Sequence, residues 1–400
     1  MLTKKPRIRN PQAPLLPLRD SLRALASIVF LFVLIAPLDA QQAQVRAGEI
    51  PIWRTSTLPT FDSQSDELVA EALLLSISGL ARLQDGTVVV ADNGATNIKF
   101  FAADGRLLRT VGREGAGPGE YKTPRLLGMC GTNHLHVYDG AQARITVLAL
   151  DGSLLDTWRI GMSATEHQPP MHVVCGPGRD AILLGWSADY KGPVTKPVAH
   201  RSEIRMSSRT MTRDGATTAL GRVMGPERQQ WPGTDGPRTL GKETFVAIGS
   251  DRLYIGTGDS STIDVRSRSG QHLSSVPLPY KKIRIDDDYI RAFVDRVIAL
   301  NPNRRPDALR KRYADMEFPE YFPTHGALLL DSAENLWVER YRLPGETTSR
   351  WSIFDRAGRP VSMVDLPEGF RLLQAGTREV VGTWEDDDGV LHVRVYALRR

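Results

Sequence analysis

VVVADNGATNIKFFAADGRLLRTVG, residues 88–112, and LHVYDGAQARITVLALDGSLLDTWRI, residues 135–160, are one pattern written twice. Set in register, Asp92 falls on Asp139 and Gly105 on Gly152, both 47 residues apart. Each unit reads strand, polar turn, strand, Asp-Gly turn, strand, with the residues that tight hairpins require. Looser copies follow: ILLGW (182–186) with TMTRDGATTALG (210–221), LYIGT (253–257) with IDVRSRSGQHLSSV (263–276), and LWVER (336–340) with WSIFDRAGRPVSMV (351–364). A sixth, EVVGTW (379–384) then VLHVRVYAL (390–398), ends without a last strand. IPIWRTSTL, residues 50–58, belongs to no unit and is suited to fill that gap, because an open sheet edge invites aggregation. The expectation is all-β: a six-bladed β-propeller over residues 47–400, closed by its N- and C-terminal strands.

Insertions into this pattern are not scattered. Turns between first and second strands, and between third and fourth, are short (QDGT, ADGR, LDGS, RAGR). The long segments, about 187–203, 222–242, 281–323 and 341–350, all follow a second or a fourth strand. In an antiparallel unit those connections leave from one face, so one face is elaborated, and loops on a rigid scaffold are where binding resides. Within 281–323 a small helical insertion is expected near residues 285–318. Asp286 can cap it, and Tyr289, Ile290, Phe293, Val294, Val297 and Ile298 form an apolar stripe at helical spacing. Asn301-Pro302 ends that helix and Pro306 opens a second, carrying Leu309, Arg312, Tyr313 and Met316. It reads as a surface hairpin, with a lid over the mouth of the ring as the alternative.

The formal charge of +5 suggests a nucleic-acid or membrane-surface partner until it is divided. Residues 1–40 hold six basic side chains against Asp20 and Asp39, which leaves about +1 for everything else. That segment reads as a secretory signal peptide: a basic region, the apolar run ALASIVFLFVLIAPLDA (24–40), and a small residue at the cut after Ala40. A membrane anchor is the alternative, but the run is shorter than the roughly 20 apolar residues a span needs. The reading is a secreted or periplasmic protein with no nucleic-acid partner and no membrane span after cleavage. Cys130 and Cys175, at matching points 45 residues apart, are then in an oxidising compartment. They are either bridged or two buried thiols, since equivalent points on neighbouring units can lie too far apart for a disulfide.

GREGAGPGEY, residues 112–121, has the glycines of a phosphate loop and none of its other parts. Pro118 removes a donor, Pro124 stands where a helix should start, and no Gly-Lys-Ser/Thr follows. It is read as a corner between units. With its flanks, VGREGAGPGEYKTPRLLG (111–128) followed by HLHVYDGAQARITVLALDGSLL (134–155), it resembles the NHL family of six-bladed propellers. The resemblance is strong over residues 75–160 and weaker but in phase over 320–400. LWVERYRLPGETTSRWSIFDRAGRPV (336–361) is similar to exported bacterial propellers of no assigned activity. The resemblance implies a fold and a binding role, and it carries no catalytic residues.

Asp92 and Asp139 end strands before Gly- or Asn-rich turns, where a carboxylate bonds the turn's own amides. The same position elsewhere falls on Trp186, Thr257, Arg340 and Trp384, and Trp with Arg is what recognition patches favour. His172 and His325 stand near the starts of inner strands, and Arg125 and Arg371 at comparable points in other units. These residues offer two chemistries: a divalent metal held by the histidines, or an anion held by the arginines. No Gly-x-Ser-x-Gly elbow, paired-His spacing or calcium loop occurs. The function expected is a non-enzymatic exported module, without cofactor, binding a small molecule, glycan or protein through the elaborated face. The alternative is a metal-dependent hydrolase or lyase of the lactonase kind.

Overall fold

The computed structural model describes residues 50–64, 69–160, 170–186, 194–314 and 316–400. The signal-peptide reading of residues 1–40 and the side chain of Trp186 lie outside the described residues. Within them the chain is all-β with two helices. The repeats become antiparallel meanders: Ile77–Arg82, Val88–Asp92, Asn97–Phe101 and Leu107–Val111 form the first, and Pro124–Gly128, Leu135–Asp139, Arg144–Leu148 and Leu154–Arg159 the second. A third begins at His172–Cys175, a fourth at Phe245–Ile248, a fifth at His325–Leu330 and a sixth at Arg371–Ala375. The first strands of successive meanders adjoin, and that of the sixth adjoins that of the first.

The middle strands show why this closes. Val88–Asp92 and Leu135–Asp139 are buried along their whole length, without the polar alternation of a one-sided sheet. Successive side chains point to opposite faces. Val89 and Ala91 pack with Leu126, Leu135 and Val137 of the second meander. Val88 and Val90 pack with Val381, Val393 and Val395 of the sixth. Every meander is therefore an interior layer, and each buried Val or Leu contributes roughly 1.5–3 kcal/mol. This is the arrangement of a β-propeller.

The sixth meander has three strands of its own, ending in Leu391–Arg399. The N-terminal segment completes it: Arg54 and Thr55 pair with Arg399 and Leu398, and Phe61 and Asp62 with Val395 and Arg394. Ile52 and Trp53 do something the repeat pattern did not suggest, running parallel to the last strand of the fifth meander opposite Met363 and Val364. Trp53 is buried with Trp337, Trp351 and Leu398, so the segment staples two meanders together.

The third meander also departs from expectation. Val198–Thr210 and Thr217–Trp231 are long strands, and a fifth strand, Thr234–Pro237, pairs with the second of them. Residues 198–203 and 222–237, read from sequence as loop insertion, are largely a β-ribbon. The helical expectation holds: α1 spans Asp287–Ala299, with Asp286 capping the Tyr289 amide, and α2 spans Pro306–Ala314. Arg238 donates to the carbonyls of Glu317 and Phe318, tying the insertion to the segment after the ribbon.

Cys130 and Cys175 are bridged, with a Cα–Cα distance of 4.9 Å. The separation the sequence left open is settled by place: both cysteines lie at the ends of first strands, where neighbouring meanders come nearest. Residues 112–121 turn a corner. At Gly112, φ is +83° and a Cβ would sit 2.4 Å from the Tyr121 ring. Arg144 donates to the Ala116 and Glu120 carbonyls, and the Gly117 amide donates to the Glu120 carboxylate. The loop thus turns its oxygens to a cation and gives an amide to its own side chain, the opposite of a phosphate cradle.

Candidate functional site

Arg125 and His172 meet where first strands begin on the elaborated face, and Arg371 stands near enough for its charge to act on Arg125. Arg125 is the second residue of its strand, and His172 and Arg371 are the first of theirs. Arg125 Nη1 lies 2.7 Å from His172 Nδ1. A guanidinium only donates, so Nδ1 accepts, and the imidazole is neutral with its proton on Nε2. Burial, then the Arg125 charge, push His172 down to about 4. Arg125 is exposed by surface area, yet enough protein surrounds it that burial, and then the Arg371 charge, lower its own pKa. Among the described residues neither guanidinium meets a carboxylate.

The arrangement offers two uncompensated positive charges and a neutral imidazole N–H, all donors. Like charges are held close only where the fold fixes them or something negative comes between them. What such a set accepts is an oxyanion.

The other candidates are engaged elsewhere. His325 is 1% exposed; its Nε2 accepts from the Gly258 amide at 3.1 Å and its Nδ1 donates to the Gly326 carbonyl at 2.8 Å. Both ring nitrogens are committed, so His325 has no lone pair for a metal, and His172 turns its own lone pair to an arginine. Among the described residues no group of three or more His, Cys, Asp or Glu is placed to hold a metal ion. Arg340 bonds Glu346 at 2.7 Å. Trp384 lies under Arg394, whose Cζ is 3.4 Å from the ring centroid, and edge-on to His392 at 5.2 Å. Arg340 and Trp384 thus belong to separate local structures.

Asp92 and Asp139 hold turns, as their position suggested. Asp92 accepts from the amides of Leu75, Ser76, Gly94 and Ala95 and pairs with Lys99 at 2.9 Å. Burial alone would raise its pKa, but Lys99 and the amides of Ser76 and Leu75 outweigh it and leave the group lowered. Asp139 accepts from the Lys122 and Gln142 amides and from Gln142 Nε2.

Two further features lie largely outside the residues singled out. One is a charge network at the root of the ribbon, with Arg201 on Asp259 at 3.0 Å and Lys242 on Glu227 at 2.9 Å. The other is a cavity between the stem of the helical insertion and the connection after Leu336–Arg340. Their parts come from non-repeating insertions far apart in sequence, so no periodicity announces them.

No family model matches the chain, and no curated protein matches it. Among solved structures it is similar to one from Bacteroides fragilis described as an exported protein, at 11% identity, covering 87% of this chain and 95% of that one, with a TM-score of 0.49. A member of the DUF4221 family from Bacteroides vulgatus is 10% identical, with 88% and 98% coverage and a TM-score of 0.49. Regucalcin, a calcium-binding protein of Agrobacterium tumefaciens, is 11% identical over 88% and 97%, with a TM-score of 0.39. Likenesses at this level bear on neither ligand nor activity.

Proposed function

We propose that the protein is an exported six-bladed β-propeller of the NHL-like kind that binds a small anionic ligand at the mouth of its central channel. What supports six blades is the circuit of adjoining first strands, with residues 54–62 pairing along the last strand of the sixth meander. Export rests on the N-terminal signal pattern of residues 1–40. The kinship with NHL propellers rests on VGREGAGPGEY and the unit after it. The observation that carries the binding reading is the pair of guanidiniums, Arg125 and Arg371, near one another beside a neutral His172 with no carboxylate between them. A carboxylate, phosphate or sulfate group placed there removes the repulsion and takes its donors.

The role is binding without catalysis. The hydrolase or lyase alternative required His172 and His325 as metal ligands, and His325 has both nitrogens committed to backbone groups. The test is a thermal-shift and calorimetric panel of phosphate, sulfate, citrate and short dicarboxylates on the purified protein, the Arg125→Ala and Arg371→Ala variants, and a metal panel alongside. A ligand at 100 times its Kd stabilises by about 2.7 kcal/mol. At least one anion should do so in the wild type and lose most of the effect in both variants. If no anion stabilises the protein, or the variants respond like the wild type, the reading fails. One equivalent of tightly held metal would restore the enzyme alternative.

A further inference from the structure

The cavity beside the helical insertion has a volume of about 170 Å³. Its walls are built by hydrogen bonds that leave little freedom. The insertion's two legs are zipped together: the Ile285 amide donates to the Glu320 carbonyl, and the Phe322 amide to the Ile283 carbonyl. That fixes Phe322 as the floor, with the Tyr289 ring of α1 packed edge-on behind it at 5.1 Å. Tyr280 forms one wall, its hydroxyl donating to the Val338 carbonyl and meeting Ser352 Oγ at 2.8 Å. The facing wall is Tyr341, 5.5 Å from Phe322, and Leu343. Glu346 holds that wall, accepting from the Leu343 amide with one oxygen and from Arg340 with the other.

Two functional groups on the lining have no partner among the described residues. The Tyr341 hydroxyl meets no acceptor and the Lys281 ammonium no carboxylate among the described residues. Burial pushes Tyr341 up to about 12, so its phenol keeps its proton and can donate. No acidic side chain lines the cavity. A preformed apolar cavity of about 150 Å³ is large enough for benzene. Rings, two prolines and a few donors are the composition of small-molecule sites.

The geometry points to a second ligand site here, one that takes a single-ring aromatic carboxylate: the ring between Tyr280, Phe322 and Tyr341, the carboxylate on Lys281 and the Tyr341 hydroxyl. It does not rest on the channel-mouth reading and shares no residue with that site. Both lie on the elaborated face, so the protein can hold an anion and an aryl acid independently.

Calorimetric titration of the Arg125→Ala variant, whose channel mouth has lost an anion donor, separates the parts of the claim. Benzoate carries ring and charge, acetate the charge alone, and benzyl alcohol the ring alone. Benzoate is expected to bind at least ten-fold more tightly than either. Leu343→Trp, which fills the cavity from an exposed connection, should abolish benzoate binding, and Lys281→Ala, at an exposed residue, should weaken it about ten-fold. Absence of benzoate binding, acetate binding as tightly as benzoate, or undiminished binding to a folded Leu343→Trp variant would each overturn the assignment. Unchanged thermal midpoints establish that the variants fold.

Discussion

Replacing Arg125 with methionine keeps an apolar stem of similar length and removes one charge. The structure says what His172 should then do. In the folded protein it titrates near 4, against an ordinary value of 6.5. A gap of that size corresponds to about 3 kcal/mol, a ceiling that water at the open end of the strands lowers. The sign follows from linkage: the folded state binds the proton less readily than the unfolded one. The stability from keeping His172 neutral is present in full above about 6.5 and falls away between there and about 4. Below that it changes no further. Burial is the larger cause and the Arg125 charge the smaller, so Arg125→Met should raise the pKa by about half a unit to one unit, short of the ordinary value. Loss of stability between pH 6.5 and 4 should become shallower in step. The assay is a proton–carbon NMR titration of histidine-labelled protein, with the His172 resonance assigned from His172→Gln. An unchanged titration would refute the bond between the two side chains. A return all the way to 6.5 would refute burial as the main cause.

Three other perturbations test the fold around the site. Asp92→Ala leaves Lys99 buried without its partner and several amides without an acceptor, and should cost about 3–5 kcal/mol in chemical denaturation, part of it recovered in Asp92→Ala/Lys99→Met. Removing the Cys130–Cys175 bridge by double alanine substitution frees a loop of 45 residues' separation, and should lower stability by about 4 kcal/mol, with reductant giving the same shift in the wild type and none in the variant. Trp53→Ala empties the joint between the fifth and sixth meanders and should cost about 3–5 kcal/mol, with the Leu391–Arg399 strand the first to lose amide protection in hydrogen exchange.

The repeat pattern was legible because its markers are the residues that turns cannot do without. Asp92 and Asp139 are there because turn amides need an acceptor, and the Asp-Gly hairpins because glycine takes positive φ at Gly105 and Gly152. The orphan strand at residues 50–58 was legible by subtraction, as a strand-like stretch that belongs to no unit. The helical insertion showed its period directly. The double-sided burial of the middle strands was not legible. Lys99 and Thr146, polar residues in third strands, are 4% and 0% exposed, because each sheet has a neighbour on both faces.

The candidate site was half legible. Counting strands back from their turns brought Arg125, His172 and Arg371 to the starts of first strands, but it could not say that His325 faces the Gly258 amide. That contact depends on how the fourth and fifth meanders pack, which no local pattern encodes. For the same reason the disulfide stayed undecided, and so did the use of Tyr341 and Phe322. The third meander's ribbon was missed because its strands carry charged residues on alternate positions and resemble loop composition.

The central claim is that an anion is held between Arg125 and Arg371. Its most direct test is an anomalous difference map at the selenium edge from crystals soaked in selenate. The account predicts a peak within hydrogen-bond reach of both guanidiniums and of His172 Nε2, lost in crystals of Arg371→Ala. A peak that settles elsewhere, or an empty site at a concentration that saturates binding in solution, would contradict it.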